Sequence, residues 1–200
     1  YTPADYMEPI VFKGNNPEPN YVASGGWGFF VNDNGGALDR SLAFQVDYDG
    51  ETNLVRWTDN AVFTANTWTH VAATWDGTAN ATGIKIYVNG AEAGGYQAAD
   101  NGAGSRVSDA SYNLSVGASG SYAGCCPDSG IVFSGSLDEV RVYDRVLSAT
   151  EIGLIDNANL SHSLAVFAGA LVRTNLYQTL GKDLYDKVQF FLANEKAGYQ

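Results

Sequence analysis

Residues 133–154, FSGSLDEVRVYDRVLSATEIGL, join an alternating pattern to a capped helical turn. Between Leu137 and Tyr143 the apolar Leu137, Val140 and Val142 nearly alternate with Asp138, Glu139 and Arg141, as in a strand with one wet face. Beyond it, Ser148 and Glu151 have the spacing of a capping box. Leu147, Ile152, Leu154 and Ile155 supply an apolar stripe, so a short helix is expected to follow the strand.

Working outward, extended patterns recur at short intervals: Ile10–Lys13, Trp27–Val31, Ser41–Tyr48, Val55–Thr58, Thr69–Trp75, Ile84–Val88 and Leu114–Gly117. Asn34-Gly35, Asp49-Gly50, Asp76-Gly77 and Asn89-Gly90 supply turn residues that tolerate positive φ. The clearest hairpin joins Ile84–Val88 to Ala91–Gln97 through Asn89-Gly90. Both faces of Trp68–Trp75 are small or apolar, which predicts a central strand with Trp68 and Trp75 in the core and His70 as a hydrogen-bonded structural residue.

The composition agrees. In 200 residues there are 23 Gly and 12 Tyr, the make-up of short strands and tight turns rather than of a helical bundle. Net charge is -11 although only 16% of residues are charged, so acidity reflects scarce Lys and Arg, and nucleic acid is not an expected partner. The longest apolar run, Leu164–Val172, is too short to span a bilayer. With Tyr1 in first place and no signal peptide in view, a processed product or fragment is expected.

The elements W-x-H-V-A-x-T-W-D-G (Trp68–Gly77), Y-V-N-G (Tyr87–Gly90), LSVG (Leu114–Gly117), F-x-G-x-L-D-E-V-R-V-Y (Phe133–Tyr143) and L-S-x-x-E-I (Leu147–Ile152) follow one another in this order. In this the chain resembles the laminin-G-like jelly-roll family of the concanavalin A-like lectin/glucanase superfamily, from Pro9 to Ile155. The resemblance implies an all-β fold: an antiparallel β-sandwich, or jelly roll, over residues 1–157. It also implies strands ahead of the segment matched by Ile10–Lys13, yet only nine residues precede Ile10. An open sheet edge is therefore expected, filled by an upstream segment, a neighbouring subunit or the chain's own tail.

Residues 158–200 are expected to be a short C-terminal extension. Leu164, Ala168, Val172, Leu176 and Leu180 recur at helical spacing before Gly181, and a second helix is expected from Asp183 with Leu184, Val188, Phe191 and Leu192 on one face. A helical hairpin results, with an added strand over Leu164–Val172 as the alternative. An apolar face of this kind suits a subunit contact or packing on its own sandwich.

Glycosidases of the wider superfamily need paired carboxylates on one face. Asp138 and Glu139 are adjacent and must diverge on a strand, and Gly50 turns the Asp47, Asp49, Glu51 run into an acidic turn. No enzymatic activity is expected. The family resemblance implies instead a structural calcium ion at Asp138, with Asp47, Asp49, Asp33 and Asn34 as co-ligands in turns. Trp57, Arg56, Trp27 and Tyr122 are the candidates for gripping a sugar, which needs flat aromatic faces beside planar polar groups.

Cys125 and Cys126 are adjacent. They read as a strained vicinal disulfide, as two bonds to another chain or as free thiols, the oxidised forms fitting a secreted protein. A metal site on the pair alone is unexpected, because His70 and His162 are remote in sequence. Sequons occur at Asn80, Asn113 and Asn159. The functional expectation is a secreted or cell-surface recognition and adhesion module, non-catalytic, binding glycan or extracellular protein and braced by calcium. The alternative is a structural subunit of an extracellular or surface assembly, as a homo-oligomer or with a strand-donating partner chain, using the open sheet edge and the apolar tail.

Overall fold

The computed structural model describes residues 7–14, 25–32, 40–118 and 132–157. Asp33, Asn34, Tyr122, Cys125, Cys126, His162, the Asn159 sequon and the periodic patterns of the tail lie outside the described residues. The chain divides into two compact units, Tyr1–Leu154 and Ile155–Gln200, and every described strand belongs to the first.

The strands are β1 (Glu8–Gly14), β2 (Gly26–Asn32), β3 (Ser41–Val46), β4 (Leu54–Thr58), β5 (Val71–Trp75), β6 (Ile84–Val88), β7 (Ala91–Glu92), β8 (Tyr96–Asp100) and β9 (Leu114–Val116). They form two antiparallel sheets: a six-stranded sheet ordered β8-β4-β3-β2-β1-β9 and a three-stranded sheet ordered β5-β6-β7. A helix, α1, occupies residues 149–157. The fold is an all-β jelly-roll sandwich, as the sequence predicts.

Strand alternation sorts the core. From β2 and β3, Phe29, Val31, Leu42, Phe44 and Val46 join Leu54 of β4 and Ile84 and Ile86 of β6 in one buried cluster between the sheets. Residues of opposite parity, Phe30, Ala43, Val55 and Trp57, form a second buried cluster with Met7 and Phe12 on the other face of the large sheet. This sheet is apolar on both sides, which is why its strands read as near-continuous apolar runs. β1 and β2 approach closely at Gly26, where φ is 125° and a Cβ would lie 2.0 Å from the Lys13 carbonyl oxygen. Only glycine fits there.

The β6–β7 hairpin forms as predicted, with Asn89 at φ 48° and Gly90 at φ 75°, the left-handed pair that a two-residue turn demands. Its second arm is shorter than the sequence suggests. β7 stops at Glu92, and the chain crosses to the large sheet, where β8 pairs with β4. Tyr96, at the start of β8, ties the sheets together: the Ile86 amide donates to its hydroxyl at 2.9 Å, the slot a longer β7 would have filled. Arg56 lies 3.5 Å from the centre of the Tyr96 ring and donates to the Ile84 carbonyl.

The capping box also forms as read. Ser148 N–H donates to Glu151 Oε2 at 2.8 Å and Glu151 N–H to Ser148 Oγ at 3.3 Å. Arg145 grips the same carboxylate through both terminal nitrogens, and its hydrogen bonds hold Glu151 at a pKa of about 2.

Three expectations need correction. Residues 137–143 are not a strand: Glu139 sits at φ 52° and no neighbour pairs with them among the described residues. Alternation marks which residues can share a face, but a strand exists only through its ladder. β5 is not central; among the described residues it pairs only with β6, and Trp68, just before it, is 70% exposed. β1 is not an edge, because β9 covers Val11–Lys13.

Since Ile86 is fully buried between the sheets, Ile86→Ala should cost about 2–5 kcal/mol, read as a lower urea midpoint in equilibrium unfolding.

Candidate functional site

One end of the sandwich is organised by a single carboxylate. Asp109, in the loop between β8 and β9, accepts from Lys13 Nζ of β1 at 3.1 Å, from Trp27 Nε1 of β2 at 3.2 Å and from Arg106 at 2.9 Å. Its backbone oxygen takes a second bond from Lys13 Nζ. Burial alone would raise its pKa, but the hydrogen bonds and positive charges of Lys13 and Arg106 outweigh it and hold it below the usual carboxylate range.

From this anchor the Arg106 guanidinium reaches over the Trp75 ring, 5.7 Å from its centre, within cation–π range. Trp75 is half-buried at the end of β5, and its indole N–H donates to the Thr78 carbonyl at 2.7 Å. Asp76 accepts from the Thr78 amide and hydroxyl, bonds that lower its pKa while it stays exposed. The Asn80 side chain likewise accepts from the Thr82 amide and hydroxyl. Beneath them Tyr48 is buried; burial raises its pKa, Arg106 opposes this and Asp76 adds to it. The result is a rim of Arg106, Trp75, Asp76, Thr78 and Asn80, with planar polar groups beside an aromatic face. Such a surface can exchange hydrogen bonds with saccharide hydroxyls or with a protein's polar groups.

Of the residues expected from the sequence to grip a sugar, Trp27 reaches this end, and it does so from inside, stacked on Phe44 with ring centres 6.0 Å apart. Arg56 and Trp57 point to opposite faces of β4. Arg56 stacks on Tyr96, whereas Trp57, 9% exposed, packs in the outer cluster. Asp138 accepts from the Glu139 amide at 2.9 Å and is exposed. Asp49 accepts from the Ser105 amide at 2.7 Å within an acidic turn, and Asp47 is buried beside Gln45. These three carboxylates do not converge, and among the described residues no group of three metal-ligating side chains assembles. A calcium cage takes six to eight oxygens around one point, and Asp33 and Asn34, two of the expected co-ligands, lie outside the described residues.

Asp109 and Arg106 escaped the sequence reading, and Asp76 reads there as a turn residue. Asp109 meets Lys13 across 96 residues and Trp27 across 82, and no local motif signals partners that far apart.

Residues 3–153 match the concanavalin A-like lectin/glucanases superfamily through a laminin G family. The chain belongs to this family, and its jelly roll is a lectin-like domain of a class that binds carbohydrate or protein. No curated protein and no solved structure matches it.

Two aspartates impose opposite pH dependences. Asp47 is 3% exposed, and burial lifts its pKa from 3.8 to about 6 against the lowering effect of the Gln45 hydrogen bond. Stability is unaffected by it below the unfolded value, then falls as pH rises toward 6, by on the order of 3 kcal/mol. Asp47→Asn should therefore raise the urea midpoint near neutral pH and leave it almost unchanged near pH 4. Asp109, with its lowered pKa, contributes stability above the usual carboxylate range and loses it under acid. Asp109→Ala should destabilise near neutral pH and converge with the wild type as the pH falls.

Proposed function

We propose that this domain is a non-catalytic extracellular recognition module that binds glycan or protein through the loop rim at the Asp109 end of the sandwich. The observation that carries this reading is the Arg106–Trp75–Asp76 arrangement. An aromatic face, a fixed guanidinium and an exposed carboxylate sit together, the guanidinium on a loop that Asp109 anchors to both β1 and β2. Loops held by a rigid scaffold are where binding residues gather, and pre-positioning them lowers the ordering cost of association.

A second reading, a structural subunit of an extracellular assembly, is favoured by the side of β5 that no described strand pairs with and by a strip of exposed apolar residues, Val132, Val140, Val142, Tyr143 and Val146. Exposed edges and apolar strips promote association.

Glycan-array and extracellular-protein binding, with light scattering, separate the two. Under the first reading the protein is a monomer that retains a ligand, and Arg106→Ala and Trp75→Ala weaken binding tenfold or more while unfolding temperatures hold within a few degrees. Under the second, the protein polymerises and both substitutions leave association intact. Calcium bracing is a separate part of the proposal, resting on the family resemblance: millimolar calcium should raise the unfolding temperature and a chelator reverse it.

A further inference from the structure

Among the described residues the small sheet is unpaired on one side. Asn89 N–H donates to the His70 carbonyl at 2.8 Å and Asp76 N–H to the Gly83 carbonyl at 3.2 Å. In an antiparallel pair this directs the backbone groups of even-numbered β5 residues toward β6 and those of Val71, Ala73 and Trp75 away from it. Among the described residues no strand pairs with that outer side. Val71, Ala73 and Trp75 pack against the inner core yet stay half-buried, as residues of an uncovered edge do.

Residues 137–143 have the complementary deficiency. Val140 is 40% and Val142 55% exposed. Glu139 is held at φ 52°, a left-handed conformation that a non-glycine residue adopts only at a cost. Glu139 and Arg141 are ion-paired at 2.6 Å, and residues two apart share a face when the chain is extended. Extension would put Glu139, Arg141 and Tyr143 on one face and Val140 and Val142 on the other.

Both ends of this strap are tied to the sandwich. Leu137 packs against the same core cluster as Val71, Ala73 and Trp75. At the other end Leu147 and Ile152 are buried, and Gly153 lies against the Gly90 carbonyl, 3.7 Å from where its Cβ would be, in the turn whose Asn89 holds His70.

We propose that residues 138–143 close onto the outer side of β5 as a fourth strand of the small sheet. Closure brings Glu139 into extended backbone, turns Val140 and Val142 toward the half-buried Val71, Ala73 and Trp75, and pairs the free amides. A strand tethered at both ends reaches this edge at a far higher effective concentration than a strand from a second copy, so the chain caps itself. The edge on which the assembly reading relies is then open only while the strap is out.

Hydrogen exchange on the full chain tests this through the amides of Val71, Ala73 and Trp75. With the strap closing, all three exchange at least tenfold more slowly than exposed amides, independently of protein concentration. Arg141→Pro and Val142→Pro together cover both hydrogen-bonding parities of the strap. At least one should abolish that protection while β2 and β3 amides stay protected, and that variant should self-associate in light scattering. Fast exchange at the three amides in the wild type overturns the proposal. So does protection that disappears on dilution, which would assign the edge to a second copy, and so does protection unchanged in both proline variants. Binding at the loop rim is read separately, so failure here leaves the recognition reading standing.

Discussion

Everything in this domain depends on burying the inner face of the large sheet against Ile84 and Ile86. These two side chains are fully buried, and opposite them Val46 and Leu54 are equally closed to solvent. A sheet of this kind has no stability as a single layer, since its apolar side chains must leave water together. The short second sheet makes that closure demanding. Three described strands lie over a larger sheet, and partly buried residues such as Trp27, Phe63, Phe133 and Leu137, drawn from β2 and from irregular chain, add to the cover.

The outer face of the large sheet carries a different tension. Beside its apolar cluster lie buried polar groups: Asn32, with neither side-chain atom hydrogen-bonded, Gln45, whose carbonyl oxygen has no partner, and Asp47. Asn32 and Gln45 sit at strand positions whose parity sends them to that face, and Asp47 directly follows β3, so none can escape to water without disturbing register. Unsatisfied buried polar atoms cost free energy, and here the cost is borne by strands that the inner face already fixes. The raised pKa of Asp47 is the same tension expressed as proton affinity.

What the sequence disclosed follows from the range of the interactions. The Asn89-Gly90 turn and the Ser148–Glu151 box are settled within a few residues and could be read directly. Seven of the predicted strands appear at or near their predicted positions, because alternation and apolar runs reflect burial along the chain itself. Residues 137–143 show where such reading stops. Their pattern is that of a strand, but pairing depends on a neighbour that pattern does not encode. The loop rim was illegible for the same reason, since Asp109 acquires Lys13 and Trp27 only after β1, β2 and the long loop have been brought together. Family resemblance supplied the fold, whereas adjacency in sequence pointed to Trp57 and Arg56, which the strand sends to opposite faces.

The crossing from β7 to β8 leaves one consequence for mechanics. Because the Tyr96 hydroxyl occupies a backbone slot of β6 while its ring lies under Arg56, whose guanidinium reaches the Ile84 carbonyl, the two layers are pinned by directional bonds as well as by greasy contact. Hydrophobic packing resists separation but permits sliding; a phenol keyed into a peptide ladder acts as a dowel against shear. A force applied along the strands would meet that dowel before it met the core, and the sandwich should yield by losing the Tyr96 pin first.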